Sequence, residues 1–314
     1  EDARTGMVLT TAGPAAEPAL AAAPVPRPML AMAVQARNRG DEVKLSSAFQ
    51  RLSEEDPSLQ VEADPEMHQT LLWGQGEIHL KVALDRLKNR FNVAVEAAPP
   101  RTPYRETIRQ GASAHGRHKK QSGGHGQFGD VKIEIAPLER GAGFRFDNKV
   151  VGGAVPKQFI PAVEAGAREF LQKGPLGFPV VDVAVTLVDG QFHSVDSNEL
   201  SFKLATALAL KDGLPRCAPV LLEPVLSVRL SVPADYTSKA LQIVSGKRGQ
   251  ILGYAAKDGW PGWDEVEAHI PQGEIQDMIV SLRSMTLGTG FFEWRHDHFQ
   301  EVPEKLTGII VEQH

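Results

Sequence analysis

Hydrophobic residues between positions 29 and 95 follow strand and helix spacings in turn. Apolar positions three and four apart predict helices, and short apolar runs bounded by Gly, Pro or Asp predict strands. Asp41 is predicted to cap the first helix. The predicted elements are a strand at 29–34, a helix at 42–53, strands at 59–62 and 69–73, a helix at 77–89 and a strand at 91–95. This β-α-β-β-α-β order is the split βαβ pattern.

The same order of elements returns in residues 225–298, so the chain is predicted to hold two small α/β sandwiches. The predicted elements there are a strand at 225–232, a helix at 236–244, strands at 250–255 and 266–270, a helix at 273–286 and a strand at 291–298. The two segments repeat the order of elements but not the sequence, since they share few identical residues.

The segment between the two repeats has another pattern. A near-continuous apolar run at 180–187 predicts a strand that is covered on both faces. Asp196 and Glu199, three positions apart, form a predicted capping pair for the helix that follows. The predicted elements are strands at 131–136 and 144–149, a helix at 156–173, the strand at 180–187 and a helix at 197–211.

The first 27 residues have no such period. Residues 11–28 are rich in Ala and Pro and predict a linker or the remnant of a preceding domain. Because the chain opens at Glu1 without a Met or a signal-peptide pattern, we expect a fragment of a longer protein. No apolar window is long enough for a bilayer, and the lone Cys217 predicts a core residue in a reducing cytoplasm.

Charge is unevenly distributed along the chain. The net charge is -5, yet residues 100–221 hold 16 Lys and Arg against 12 Asp and Glu. Most of this surplus lies at 101–120, which includes Arg117, Lys119 and Lys120. Attraction to phosphate depends on charge within about 8 Å at physiological salt, so overall acidity does not exclude RNA. A solvated basic face is the alternative interpretation.

Catalytic motifs are missing from the sequence. GxxxxGK followed by Ser or Thr does not occur, so the chain is not expected to hydrolyse GTP. His115 and His118, like His296 and His298, lack a third ligand at a typical metal spacing, and no nucleophile with an adjacent base is recognisable. We therefore predict no catalytic residue, no metal and no cofactor in this chain.

The Gly-rich loop at 122–129 is a candidate RNA contact. Four Gly in eight residues permit positive φ and close backbone approach. Phe128 offers a ring on which a base can stack. A flexible turn with Phe128 in the core is the alternative. Lys247 and Arg248, in the turn at 246–249, form a second basic candidate.

Several blocks of the sequence, in order, resemble bacterial elongation factor G. RLSEEDPSLQVEADPEMHQTLLWGQGEIHL at 51–80 resembles its third domain, and TPYRETI at 102–108 resembles the start of its fourth. The blocks that follow are QSGGHGQFGDV at 121–131, VGGAVPKQFIPAV at 151–163, GPLGFPVVDV at 174–183, VDSNELSFKLA at 195–205 and PVLLEP at 219–224. Together they span nearly everything from Pro28 onward, and their order excludes chance.

The resemblance implies an α+β fold of three domains. Two ferredoxin-like (split βαβ) sandwiches would flank a domain similar to domain 2 of ribosomal protein S5. The implied bounds are 1–27 for a linker or remnant of a preceding β-barrel domain, 28–99 for domain III, 100–221 for domain IV and 222–314 for domain V. GTP and Mg²⁺ would bind in an N-terminal domain that this sequence lacks.

The resemblance also implies a function. The chain would be the ribosome-binding part of a monomeric translational GTPase that promotes tRNA–mRNA translocation, with domain IV at the decoding region and domain V at the stalk-base proteins and rRNA of the large subunit. His193 lies where the family's tip histidine meets tRNA and mRNA. The hypothesis requires Phe128 and His193 to lie close together. The implied tip residues are Ser122, Gly123, Gly124, His125, Gly126, Gln127, Phe128, His193, Ser194 and Asp196.

The sequence departs from the family at both ends. The close GFFEWRHDHFQEVPEKL and the Ala-rich opening favour a divergent paralogue. The alternative function is therefore ribosome recycling, regulation or ribosome protection, although the SGGHGQFG and HSVDSNE blocks favour the elongation-factor branch over a tetracycline-type protection protein. A stand-alone metabolic enzyme and a protein-interaction module are hypotheses from other classes.

Overall fold

The first sheet is antiparallel throughout. The computed structural model describes Thr5, Val25 and residues 27–121 and 126–313. Its first elements are β1 (Leu30–Ala36), α1 (Glu42–Glu55), β2 (Gln60–Asp64), β3 (Gln69–Gly74), α2 (Glu77–Asn89) and β4 (Val95–Ala98). The strand order is β2-β3-β1-β4, with antiparallel neighbours. Helices and sheet share a core that includes Leu52, Leu72, Leu80 and Leu87.

The predicted helices of this sheet are confirmed, the second at its predicted bounds. β4 begins at Val95 instead of residue 91, because Asn92 has a φ of 55°, which is incompatible with a strand. Asp41 does occupy the N-cap of α1, but its carboxylate binds Lys44 and not a helix N–H.

Two helices that the structure describes cover one face of the second sheet. Its segment contains β5 (Arg105–Ile108), β6 (Ala112–Lys120), β7 (Gln127–Pro137), β8 (Phe144–Asn148), α3 (Ile160–Phe170), β9 (Val183–Gln191) and α4 (Glu199–Gly213). The order is β6-β7-β9-β8, and β8 runs parallel to β9. One face shares a core with α3 and α4 through Ile133, Val163, Leu187 and Phe202. His115, Arg117, Lys132 and Glu134 alternate with these buried positions and are exposed or half-buried.

Two strands of this segment, β5 and β6, were not predicted. β6 is rich in Gly, His and Lys, and only Ala114 and Gly116 of its residues are fully buried. A weak apolar alternation of this kind gives little signal. Gly116 is required by packing, since a Cβ there would overlap the Ala205 carbonyl and lie 2.6 Å from the Ala209 nitrogen in α4.

The third sheet repeats the topology of the first. Its elements are β10 (Pro219–Pro233), α5 (Thr237–Gly246), β11 (Gln250–Ala256), β12 (Trp263–Pro271), α6 (Met278–Met285), β13 (Phe291–Glu301) and α7 (Glu304–Gln313). The order is β11-β12-β10-β13. α6 is shorter than predicted, because residues 272–274 form a separate 3-10 turn.

The chain divides into two compact units. One comprises Glu1–Pro103 and Val225–Asp297, and the other Tyr104–Pro224 and His298–His314. β10 continues through the predicted boundary at residues 221 and 222, and its first four residues pair with β5. The α+β class is confirmed, whereas the three domain bounds stay a prediction. No helix among the described residues has both the length and the apolar composition to cross a bilayer.

Candidate nucleic-acid interface

The candidate tip loops meet at the start of β7 and the start of α4. Phe128 and Ser197 form an isolated parallel bridge between the two segments. The Phe128 N–H donates to the Asp196 carbonyl over 2.9 Å, and the Ser197 hydroxyl donates to the Phe128 carbonyl over 2.9 Å. The backbone therefore joins two segments that are distant in sequence.

Asp196 adds a side-chain link between the same segments. Its Oδ1 accepts a hydrogen bond from the Gly126 N–H over 3.0 Å. A Cβ at Gly126 would lie 2.8 Å from the Asp196 Cγ, so a larger residue would displace the carboxylate. The prediction that Asp196 caps α4 is wrong. Asn198 is the N-cap, and its Oδ1 accepts from the Ser201 N–H over 2.9 Å.

His193 is held on one side and open on the other. Its side chain is 55% exposed, and its Nδ1 lies 3.3 Å from Asp196 Oδ2 and 3.2 Å from the Asp196 N–H. Nδ1 accepts from the N–H when neutral and donates to the carboxylate when protonated. Within the described part of the chain, no residue hydrogen-bonds Nε2. As far as the described residues go, this nitrogen can bind an external partner.

The Phe128 and His193 rings lie together, as the hypothesis requires. Their centroids are 6.4 Å apart, and the ring planes meet at 61°. Phe128 is half-buried and lies outside the hydrophobic core. The Gln127 Oε1 beside it accepts a hydrogen bond from His118 Nε2 over 2.9 Å. Ser194 is exposed, and Ser122, Gly123, Gly124 and His125 lie outside the described residues.

Three exposed apolar residues that were not predicted as part of the site surround His193 in sequence. Phe192, Val195 and Leu200 are 47%, 63% and 54% exposed. Large apolar side chains at an exposed loop and helix start are a signal of contact with another molecule. The signal that could have identified them is the presence of hydrophobic residues in and next to an otherwise polar loop.

The basic residues of β6 differ in whether they are already paired with an acidic side chain of the chain. Arg117 donates from Nε to Asp130 over 2.5 Å, and His115 Nε2 lies 3.0 Å from the same carboxylate. Asp130 is 1% exposed, so Arg117 is needed to balance a buried charge. Lys119 and Lys120 are exposed, and no ion pair of either lysine occurs among the described residues. Among the described residues, they are the cations of this strand that have no acidic partner.

The second basic candidate is neutralised within the chain. Lys247 forms an ion pair with Asp277, and Arg248 Nε lies 2.8 Å from Glu274 Oε1. Both side chains are mostly covered, at 19% and 30% exposure. An RNA contact through this turn would have to compete with these carboxylates, which the spacing of the sequence could not reveal.

Two titratable groups of the second unit have shifted pKa values with clear causes. Burial raises the pKa of the Glu106 carboxyl above its usual range, although its Oε1 accepts from the Leu176 and Phe178 N–H groups. Burial likewise raises the pKa of the Cys217 thiol. Cys217 is a fully buried core residue, as predicted.

Comparison with known proteins identifies the family. Models of three elongation factor G domains match in order: domain III at residues 25–99, domain IV at 100–218 and the C-terminus at 220–309. The chain belongs to the elongation factor G family.

Two relatives match nearly the whole chain. A Synechocystis sp. protein described as elongation factor G-like is 55% identical over 306 residues, which cover 98% of this chain and 45% of the relative. A crystal structure of a protein from Thermus thermophilus matches with a TM-score of 0.81 at 37% identity, covering 93% of this chain and 43% of that one. The chain thus spans a little under half the length of both.

Proposed function

We propose that the chain is the ribosome-binding part of a translational GTPase that promotes movement of tRNA and mRNA during protein synthesis. Membership of the elongation factor G family supports a role in translation. GTP binding and hydrolysis, with Mg²⁺, are assigned to the part of such relatives that this chain does not span. In this proposal the residues of the chain bind and position RNA and carry out no catalytic step.

The observation that carries the proposal is the link between the two tip segments. Asp196 binds the Gly126 N–H, and Ser197 binds the Phe128 carbonyl, so one aromatic ring and one imidazole are presented side by side. An exposed imidazole can donate to a phosphate or a 2′-hydroxyl, and a ring can stack on a base. A preformed pair of this kind suits folded RNA at the decoding region.

Lys119 and Lys120 supply the electrostatic part of the proposed contact. They lie at the end of β6, opposite Phe128 and Gln127 at the start of β7. Exposed lysines near a contact site release counterions from phosphate and make binding depend on salt. The proposed partners are therefore rRNA of both subunits, tRNA and mRNA, with stalk-base proteins at domain V, for a monomer in the cytoplasm.

A specialised paralogue is the second candidate. It is favoured by the name of the Synechocystis sp. relative, elongation factor G-like protein, at 55% identity. Such a paralogue would use the same tip on the ribosome for recycling, regulation or protection. Translocation by the wild-type protein supports the first candidate, and subunit splitting without translocation supports the second.

Ribosome binding of the full-length protein tests the proposed contact. The variant is Lys119→Glu with Lys120→Glu, and Arg117 is left in place because it balances the buried Asp130. Reversing both charges is expected to weaken binding about tenfold and to lower the slope of log K against log salt by about 2.

A matched control separates this site from overall charge. Lys149→Glu with Lys173→Glu makes the same charge change at two exposed lysines of the same unit. It is expected to leave the affinity within about twofold, because the exchanged charges lie outside the contact. Equal losses in both double variants, or no loss in the first, would contradict the proposed interface.

A further inference from the structure

The hairpin that joins β11 to β12 has a fixed shape. The Lys257 N–H donates to the Trp263 carbonyl over 2.8 Å, and the Trp260 N–H donates to the Lys257 carbonyl over 3.1 Å. Gly259 and Gly262 have φ values of +71° and +78°, which favour glycine. We call residues 257–263 the tryptophan hairpin. Its bonds hold Trp260 in one place.

Three aromatic rings cluster at this hairpin. The Trp260 centroid lies 5.2 Å from that of Trp263 and 5.8 Å from that of Phe291. Trp263 and Phe291 are half-buried, whereas Trp260 is 45% exposed. A rigid, partly exposed Trp supported by other rings is typical of residues that dominate binding energy at protein interfaces.

The inner side of the cluster already holds a cation. Lys257 Nζ lies 5.6 Å from the Trp260 centroid and 5.4 Å from the Phe291 centroid. It also donates to the Ser231 hydroxyl over 2.7 Å and to Glu265 over 2.8 Å. Glu265 therefore neutralises Lys257, and this lysine offers little attraction to an external anion.

Apart from Glu265, the carboxylates near the hairpin have no basic partner among the described residues. Asp258 and Asp235 are exposed, whereas Asp264 is half-buried on the face of β12 that carries Val266 and accepts from the Thr237 hydroxyl over 2.6 Å. The Ala234 N–H donates to the Gly262 carbonyl, which brings Asp235 beside the hairpin. Within the described ranges, no basic side chain pairs with Asp235, Asp258 or Asp264. Two exposed carboxylates in and next to the hairpin, those of Asp258 and Asp235, repel phosphate and attract cations.

We propose that the tryptophan hairpin is a docking site for an arginine-bearing segment of a basic partner protein. A guanidinium is planar and weakly hydrated, so it stacks on the face of Trp260 while the neighbouring carboxylates accept its N–H groups. Acidity of the site favours a protein over RNA, and residues 222–314 hold 13 acidic against 8 basic side chains. The proposal is independent of the tip and its contact with RNA.

Peptide binding to the full-length protein tests this docking site. The probe is a fluorescein-labelled peptide of about twelve alternating Arg and Gly residues, followed by anisotropy. Trp260→Ala is expected to weaken its binding about three- to tenfold, and Trp260→Phe by less, because the smaller ring keeps part of the cation–π attraction. Tyr254→Ala, at an exposed aromatic residue of β11 outside the cluster, is expected to bind as the wild type does.

Two further measurements decide whether the hairpin binds an arginine-bearing peptide or RNA. Asp258→Lys is expected to weaken binding of the arginine peptide and to reduce its salt dependence, while the thermal midpoint of unfolding stays unchanged because Asp258 is exposed. A peptide with citrulline in place of arginine, which has no charge, is expected to bind about tenfold more weakly. Equal binding of the citrulline peptide overturns the proposal. So does a single-stranded RNA of similar length that binds in a Trp260-dependent way, since that result assigns the hairpin to base stacking.

Discussion

The Phe128 and His193 rings lie 6.4 Å apart although one lies at the start of β7 and the other follows β9. β7 and β9 are neighbours in the sheet, and the bridge between Phe128 and Ser197 extends this proximity past the end of β9. The pair is thus a consequence of sheet topology and one local hydrogen-bond network. Because the network is formed within the chain, the pair exists before any partner binds.

Removing the Asp196 carboxylate is expected to loosen the tip. Asp196→Ala deletes the acceptor of the Gly126 N–H, at a cost of about 1 kcal/mol. Asp196→Asn keeps an oxygen at Oδ1 and is the control. Hydrogen exchange of the segment around Gly126 is predicted to be faster in the Ala variant alone. Equal exchange in the two variants would remove the structural role assigned to the carboxylate.

Gly116 is predicted to be intolerant of a side chain. Gly116→Ala places a methyl group against the backbone of α4 near Ala205 and Ala209, and overpacking of this kind costs about 1–3 kcal/mol. Gly253→Ala is the control, because no heavy atom of the described residues, its chain neighbours aside, lies within 4 Å of a Cβ there. Urea unfolding is expected to show a lower midpoint for the first variant only. A wild-type midpoint for Gly116→Ala would mean that α4 packs less closely on β6.

The buried Glu106 is expected to make the stability of the folded protein depend on pH. Burial raises the pKa of its carboxyl in the folded protein, so its contribution to stability is complete below its usual pKa and is lost as the pH rises through the raised value. Its Oε2 has no hydrogen-bond partner among the described residues. Glu106→Gln keeps an oxygen for the Leu176 and Phe178 N–H groups and cannot ionise.

Denaturant midpoints measured from about pH 5 to about pH 8 check this expectation. The wild type should lose stability relative to Glu106→Gln as the pH rises, so that the variant is the more stable protein at the upper end. Glu106→Ala leaves two N–H groups without an acceptor and should cost about 2 kcal/mol or more at every pH. Parallel pH profiles for the wild type and Glu106→Gln would show that the buried carboxyl does not titrate in this range.

Asn198 is predicted to fix the start of α4. Asn198→Ala removes the side-chain acceptor of the Ser201 N–H and should cost about 1 kcal/mol, whereas Asn198→Asp keeps an acceptor and should cost less. Thermal unfolding of both variants checks the ranking. If Asn198→Asp is the less stable of the two, the cap bond is not what stabilises the helix start.

Regular periodicity made much of the fold predictable. α2 has its predicted bounds, because Leu80 and Leu87 recur at helical spacing between the Gly76 start and the Arg90 end. β6 was not predicted, because its residues are small where they approach α4 and charged elsewhere, and they show little apolar alternation. The hydrophobic pattern of a segment indicates which residues are buried. It gives no indication of a strand whose residues are mostly exposed or charged.

The site was predictable in position but not in detail. The sequence placed Phe128 and His193 in loops, but Phe128 lies in β7, and only the fold reveals that Asp196 binds Gly126 instead of capping α4. The spacing of basic residues likewise could not separate Arg117, which balances Asp130, from Lys119, which has no ion pair among the described residues. Such distinctions depend on partners that are remote in sequence.

The rate of tRNA–mRNA translocation by the full-length protein tests the central claim most directly. The variant is His193→Ala, and the control is His68→Asn, at an exposed histidine of the turn between β2 and β3. The account predicts a single-turnover rate about tenfold lower for His193→Ala, with ribosome affinity nearly unchanged, because the imidazole acts on moving RNA and not in anchoring. Wild-type speed in His193→Ala, with the control also unchanged, would contradict the account.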